Sequence, residues 1–330
     1  MANGALQRHP GTVRVLAVVE DWPDRGGGLL ATELWLKAAC REVEVVVVGP
    51  RPFPPCPHLP HPLPHQRPKL WLTRPRVDLA KFDVLYIPRY AYHLIPAAKR
   101  LGLRAVVHMH GYPTYLSTGQ PHDWRYETAT VKRLYAAAAA KAVETLIDKW
   151  LRQADAVICV SRAHCARLEK YRVVYVPNPP PPVPQISAPR ARRFVYPWGP
   201  RPFKGPHIAR AVAKALGTEL VETGELSRGE YYHVVATSKA LLAPALWDEP
   251  YGYAVVEAMM LGTPPVAFAR GAIPELVEGT EAEAYLAHNL AEFAKAAKKA
   301  LEEPPPPKLA KEAREKFRTE LDRFLKALMG

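Results

Sequence analysis

The chain is 330 residues long, 48% hydrophobic and 23% charged, a length suited to two domains of roughly 150 residues that each bury a core. No apolar run approaches the ~18 residues of a membrane span, and residues 1–12 lack the apolar core and cleavage site of a secretory leader, so a cytoplasmic protein is expected. The formal charge is +13, but the basic residues are scattered and no recognition helix or aromatic RNA-binding signature accompanies them. Nucleic acid is therefore not an expected partner, whereas weak peripheral contact with anionic lipid at the inner membrane face stays open.

A buried strand is predicted over Thr12–Val19, followed by Glu20, Asp21 and Trp22, the loop Asp24-Arg25-Gly26-Gly27-Gly28 and a helix from Leu29 to Ala39. Three consecutive glycines allow close backbone approach where a helix start offers N–H groups to an anion, although a merely flexible loop would look the same. Val43–Val48 is nearly all apolar, as a parallel strand covered on both faces requires. Pro50–Pro68 should break all regular structure. Its prolines favour polyproline II, which sets His58 and His61 on one face near Cys56 and leaves His65 off it. So stiff a segment closes a tetrahedral metal site poorly, and a surface loop is expected instead. The four cysteines, Cys40, Cys56, Cys159 and Cys165, show no CxxC metal spacing. The 36 prolines and scarce Asn and Gln hint at a thermophile, where an intracellular disulfide such as Cys40 to Cys56 becomes conceivable.

Asp83–Pro88 and Arg104–Met109 read as strands, with a helix over Tyr92–Leu101 between them. The second runs into His108-Met109-His110-Gly111. Alternation puts His108 and His110 on one side, so one of them can be structural, and His110 stands where a residue facing a ligand hydroxyl would. A long helix is predicted over Glu127–Gln153, with Ala136–Ala140 packing tightly. Strand Ala156–Val160, Ser161 capping a helix Arg162–Glu169, and strand Val173–Val176 follow. Pro177–Pro189 holds seven prolines in thirteen positions, a semi-rigid linker and the expected domain boundary.

Beyond the linker the first unit's logic repeats: strand Phe194–Tyr196, a turn at Gly199, and Lys204-Gly205 opening a helix to Leu216. Arg201 and Lys204 stand at that helix start, where cations can neutralise an anion; solvated side chains are the plainer alternative. Glu219–Val221 reads as a strand and Glu230–Val235 as a short helix. The densest stretch is Leu241–Gly279. A strand Leu241–Pro244 ends in proline, and Val255, Val256, Met259 and Met260 recur at helical spacing from Tyr253 to Leu261. Glu249 thus lies in the loop at a strand's carboxyl end and Glu257 on the helix. Carboxylates accept from vicinal hydroxyls, and a helix start at Gly252, Tyr253 and Ala254 suits a phosphate. Two solvated glutamates on a surface helix would show the same spacing. Gly262-Thr263 reads as a C-cap, Pro265–Phe268 as a strand, and Ile273-Pro274-Glu275 opens a helix after Gly271. A strand Glu283–Leu286, a helix Leu290–Leu301 and a charged helix Leu309–Leu328 end the chain.

The string formed by Glu249-Pro250, Gly252, Glu257-Ala258-Met259, Gly262-Thr263-Pro264, Gly271 and Pro274-Glu275 resembles the donor-binding signature of the retaining glycosyltransferases of family 4. The resemblance implies the α/β GT-B fold, two Rossmann-like doubly wound domains with a cleft between them. Residues 1–185 would be the acceptor domain, 186–307 the nucleotide-sugar donor domain, and 308–330 a C-terminal helix able to cross back. It implies that Glu249 faces the donor sugar, Glu257 holds the ribose, and Gly252, Tyr253 and Ala254 meet the diphosphate. Gly27 and Gly28 would lie between donor and acceptor, and His110 resembles the acceptor-side histidine. Arg201 and Lys204 resemble the family's Arg…Lys-Gly pair, more closely spaced here, and Pro177-Asn178-Pro179 resembles Pro-Asn-Gly without its glycine. The implied reaction transfers a hexose from a UDP- or GDP-sugar to an acceptor sugar, small alcohol or lipid headgroup. No first-domain carboxylate resembles a nucleophile, which favours a front-face mechanism; Asp21 and Asp24 are the nearby acids. Neither a DxD motif nor a ligand cluster argues for an obligatory metal. A nucleotide-sugar 2-epimerase of the same architecture and a non-catalytic nucleotide-sugar binder are the alternatives.

Overall fold

The computed structural model describes residues 13–20, 26–64, 67–112, 142–224 and 226–330. Its first half is built on β1 (Arg14–Val18), β2 (Glu44–Gly49), β3 (His58–Pro60), β4 (Val84–Ile87), β5 (Arg104–His108), β6 (Ala156–Cys159) and β7 (Val173–Tyr175). All pair in parallel, in the order β3-β2-β1-β4-β5-β6-β7. Helices α1 (Gly27–Ala39), α2 (Arg67–Leu72), α3 (Ile95–Arg100), α4 (142–151) and α5 (Arg162–Arg167) flank it. Because side chains alternate along a strand, Val15, Ala17, Val45 and Val47 pack on one face with Trp35 of α1, and Leu16, Val18, Val46 and Val48 on the other with Leu151 of α4.

Three expectations are corrected here. The proline-rich segment does not lose all regular structure, since it supplies β3 and the start of α2. β3 pairs only with β2, and an edge strand has one side where a missing N–H costs no ladder bond. His58 is consumed structurally, its Nε2 bonded to Gly49 O at 2.8 Å. Second, two disulfides close rather than one. Cys40 joins Cys56 with Cα atoms 5.4 Å apart, and Cys159 joins Cys165 with Cα atoms 5.1 Å apart. The second depends on how α5 folds back beside the end of β6, which spacing alone does not reveal. Third, the helix expected over Tyr92–Leu101 is a 3-10 turn, Tyr92–Leu94, leading into α3. The helix expected over 127–153 lies outside the described residues as far as 141 and is helical over 142–151.

The second half carries β8 (Arg193–Tyr196), β9 (Glu219–Glu222), β10 (Ala240–Ala243), β11 (Pro265–Phe268) and β12 (Leu286–Ala287), parallel in the order β12-β11-β10-β8-β9. Helices α6 (Pro206–Ala215), α7 (Arg228–Ala236), α8 (Tyr253–Met260), α9 (Ile273–Val277) and α10 (Leu290–Glu302) surround it. Every residue of α8 is buried, as expected of a helix whose one charged residue, Glu257, is paired and whose other residues pack between the sheet and its neighbours. Its C-terminal carbonyls are met by Arg190, which donates to Leu261 O at 3.3 Å and Gly262 O at 3.0 Å.

Two further expectations change. Glu281–Tyr285 is a 3-10 helix, with Thr280 accepting from Ala282 N, and the strand is only the two residues of β12. A local side-chain bond to the backbone outcompetes extension there. The last helix is broken into α11 (Leu309–Lys316) and α12 (Leu321–Met329). The break lets the two pieces serve different cores. Leu309 and Ala313 pack with α8, while Phe324 of α12 stacks on Trp35 at 4.3 Å in the first half. Arg104 of β5 donates to Ala327 O and Leu328 O at 3.1 and 3.2 Å, meeting the carbonyl end of α12.

Candidate active site

The strand order of each sheet reverses beside its first strand, between β1 and β4 in one and β8 and β10 in the other. Open parallel sheets gather ligands at the carboxyl ends of strands at such points. Both reversals face one cleft of about 710 Å³, to which Glu249, Lys204, Arg201 and His110 all contribute. Glu257, Gly252, Tyr253, Ala254, Gly27 and Gly28 line it as well. The surface-helix alternative fails, because Glu249 and Glu257 are each only 4% exposed.

Lys204 ends the loop after β8, and Glu249 lies in the loop after β10, so the reversal itself brings them together. Lys204 Nζ donates to Glu249 Oε1, and Trp247 Nε1 donates to the same oxygen at 2.7 Å. The ammonium also lies 4.5 Å from the ring centre of Trp198 and 4.6 Å from that of Trp247. Burial pulls the Lys204 pKa below its ordinary value, while Glu249 acts to raise it. Gly271 makes the loop possible, since at φ +57° a Cβ there would lie 2.3 Å from Glu249 O.

Glu257 sits in the second turn of α8. Arg228 Nη1 donates to its Oε1 at 2.7 Å, and Tyr232 hydroxyl donates to the same atom at 3.2 Å. Burial raises its pKa from 4.5 to about 7, against the lowering effect of Arg228. The helix begins at Gly252, whose φ of +102° turns the chain sharply into the first turn. Its first N–H groups have no partner within the helix, and Gly252, Tyr253 and Ala254 line the cleft. The N-terminus of α1 approaches from the other half, so closely that a Cβ on Gly27 would come within 2.8 Å of Tyr253 Cδ2. Two helix N-termini and a held ammonium make this a place for an anion.

His110 occupies the first-half wall. Thr32 gives its one hydroxyl proton to Gly28 O at 2.9 Å, so its oxygen accepts from His110 Nε2–H at 3.2 Å. Burial lowers the His110 pKa to about 3, with His164 and Arg89 acting in the same direction. The ring is therefore neutral at physiological pH. His108 is the structural member of the pair, fully buried, with its Nδ1 2.8 Å from the Tyr86 hydroxyl. Asp21 and Asp24 lie outside the described residues. Among the described residues no group of three or more His, Cys, Asp or Glu is placed to hold a metal ion.

Residues 207–320 match the family model described as glycosyl transferases group 1. A search of curated proteins gives no match. Among solved structures, the fold is similar to sucrose-phosphate synthase from Thermosynechococcus elongatus, at 14% identity over 95% of this chain and 97% of that one, with a TM-score of 0.71. It is similar to Alr3699/HepE of Anabaena in complex with UDP-glucose, at 15% identity over 96% and 100% of the two chains and a TM-score of 0.61. WaaG, a glycosyltransferase involved in lipopolysaccharide biosynthesis, aligns at 14% identity over 96% and 100%, with a TM-score of 0.64. The chain is a glycosyltransferase with the GT-B fold.

In this glycosyltransferase several cleft residues were not legible as such in the sequence. Arg228 had a signal: Ser227 and Glu230 form a capping box, which starts the helix at Arg228 rather than at Glu230. Trp198 and Trp247 carry no motif, and only the two loops' convergence on Lys204 marks them. The halves of the glycosyltransferase are tied beside the cleft. Tyr251 and Tyr253 hydroxyls donate to Asn178 O and Pro179 O at 3.0 and 2.8 Å. Glu275 accepts from Arg162 N and the Tyr175 hydroxyl, both at 2.8 Å. Arg167 pairs with Asp248 at 2.6 Å.

Proposed function

We propose that this glycosyltransferase transfers a hexose from a nucleoside diphosphate sugar to a hydroxyl acceptor with retention of configuration, as a member of family 4. The observation that carries the reading is the buried Lys204–Glu249 pair at the strand-order reversal, opposite the N-terminus of α1. The diphosphate rests on the amides of Tyr253 and Ala254 at the start of α8, with Gly27 and Gly28 closing from the other side. Lys204, aided by Arg201 at the rim, neutralises the charge that grows on the departing diphosphate. Glu249 accepts from hydroxyls of the donor sugar and Glu257 from those of the ribose. The leaving phosphate takes the acceptor's proton on the same face, and His110 frames that side of the cleft.

Alr3699/HepE has been solved with UDP-glucose and with UDP and glucose, which supports a UDP-sugar donor here; a GDP-sugar meets the same groups. Residues 1–185 would serve the acceptor and 186–307 the donor, with 308–330 fastening the two. The acceptor is a sugar, a small alcohol or a lipid headgroup, the last reached by weak peripheral contact of a cytoplasmic protein with the membrane. The proline content and two disulfides fit an intracellular chain from a hot environment.

Thermal shift with UDP-glucose, UDP-N-acetylglucosamine, GDP-mannose and ADP-glucose tests the donor assignment. One of them should raise the melting temperature of the wild-type chain and fail to raise that of Lys204→Ala. If none stabilises the protein, the assignment is wrong. Nucleotide released only when acceptor is added separates transfer from 2-epimerisation, and turnover unchanged by Glu249→Ala would make the chain a binder.

A further inference from the structure

Two tryptophans in the cleft have no role in the scheme above. Trp198 follows β8 and Trp247 follows β10, so each of the two loops at the strand-order reversal brings an indole to Lys204, with ring centres 4.5 and 4.6 Å from its Nζ. Trp198 otherwise packs edge-on against Tyr196 at 5.9 Å, whereas Trp247 also bonds the carboxylate. Its Nε1–H donates to Glu249 Oε1 at 2.7 Å, the oxygen that also accepts from Lys204. The ring is itself wedged, 5.2 Å from Phe203 and 6.0 Å edge-on from Tyr112 of the first half, whose hydroxyl donates to Asp248 O at 3.1 Å.

The terminal torsion of a glutamate is broad, so a lysine on a flexible stem leaves the carboxylate plane free to turn. A second donor on a rigid bicyclic ring removes that freedom. The indole faces meanwhile attract a desolvated ammonium, an effect of about 2 kcal/mol. We propose that Trp247 is a positioning residue: its N–H sets the Glu249 carboxylate and its ring face holds Lys204, while Trp198 supplies only a second face. The proposal rests on the roles given above to Glu249 and Lys204.

The donor with the largest thermal shift in the four-compound panel is the kinetic probe. Trp247→Phe keeps a ring and loses the N–H; it is expected to lower kcat at least about 10-fold while donor KM stays within about 2-fold. Trp198→Phe is expected to keep kcat within about 3-fold. A ligand-free readout stands beside these. The indole 15N–1H resonance absent from Trp247→Phe identifies Trp247, and it should shift in Glu249→Gln. Equal kcat losses in the two tryptophan variants, or an indole resonance indifferent to Glu249→Gln, overturns the proposal and leaves the nucleotide-sugar reading standing. No thermal shift with any of the four compounds ends both.

Discussion

Glu249 and Lys204 are each the condition for burying the other. A carboxylate that is 4% exposed and stripped of its ammonium is left as an uncompensated charge, a loss of about 3–5 kcal/mol, whereas removing both charges costs far less. Lys204→Met should therefore lower unfolding free energy in urea by about 3 kcal/mol, and Lys204→Met with Glu249→Gln should recover most of it. Additive losses would show that the pair is not coupled. Glu257 gives a pH dependence of its own. Burial lifts its pKa from 4.5 to about 7, so between those values the folded chain holds a proton that the unfolded chain has released. Stability from this group is full below 4.5 and is lost as pH climbs to about 7. Glu257→Gln cannot titrate. Its melting temperature should gain on the wild type between about pH 5 and pH 8, by a change of at most about 3 kcal/mol; a constant difference across that range would refute the shift.

Among the elements, α8 and the loop before α9 decide where the site's carboxylates stand. Gly271 has φ +57°, and a Cβ there would meet Glu249 O at 2.3 Å, so Gly271→Ala must move the Glu249 backbone. A loss of about 2 kcal/mol is expected, with turnover falling more than donor affinity; unchanged turnover would mean that the loop tolerates the shift. α12 shows the opposite dependence, on a partner remote in sequence. Its Phe324 stacks on Trp35 at 4.3 Å and meets Tyr86 edge-on at 5.7 Å. Phe324→Ala should cost about 3–5 kcal/mol in calorimetry or denaturant titration, a loss reserved for core positions. A surface-like effect of a few tenths would place α12 off the first sheet.

At the scale of the molecule the two halves are joined by polar ties around the cleft and by apolar packing of α12 and of Ala31 and Val160, rather than by covalent brevity. Residues 177–191 run between them without helix or strand. Glu275 takes two hydrogen bonds from the first half, from Arg162 N and Tyr175 hydroxyl. Glu275→Ala removes both. Small-angle scattering should then report a larger radius of gyration without nucleotide and weaker donor binding, with the melting temperature reduced only slightly because neither sheet loses core. An unchanged radius would assign the halves' arrangement to the remaining ties, Arg167–Asp248 among them, and to apolar contacts such as Ala31 and Val160 packed in one cluster with Tyr253.

Within single segments, local chemistry decided the outcome. The apolar runs at Val43–Val48 and Leu241–Pro244 became central parallel strands, and the glycine-punctuated Glu249–Glu257 stretch became a strand-end loop and a helix start, because periodicity and turn residues act over a few neighbours. Proline content misled at His58–Pro60, where the edge of a sheet accepted what an isolated segment would not. The tertiary structure alone decided that Trp198 and Trp247 enclose Lys204, that Arg228 reaches Glu257, that Cys159 meets Cys165, and that the last helix breaks to serve two cores. Apart from Cys159–Cys165, which needs only the turn from β6 into α5, these join groups whose proximity depends on strand order and helix packing. Such contacts are settled by burying apolar surface across the whole chain, and nothing in their own short stretches encodes them.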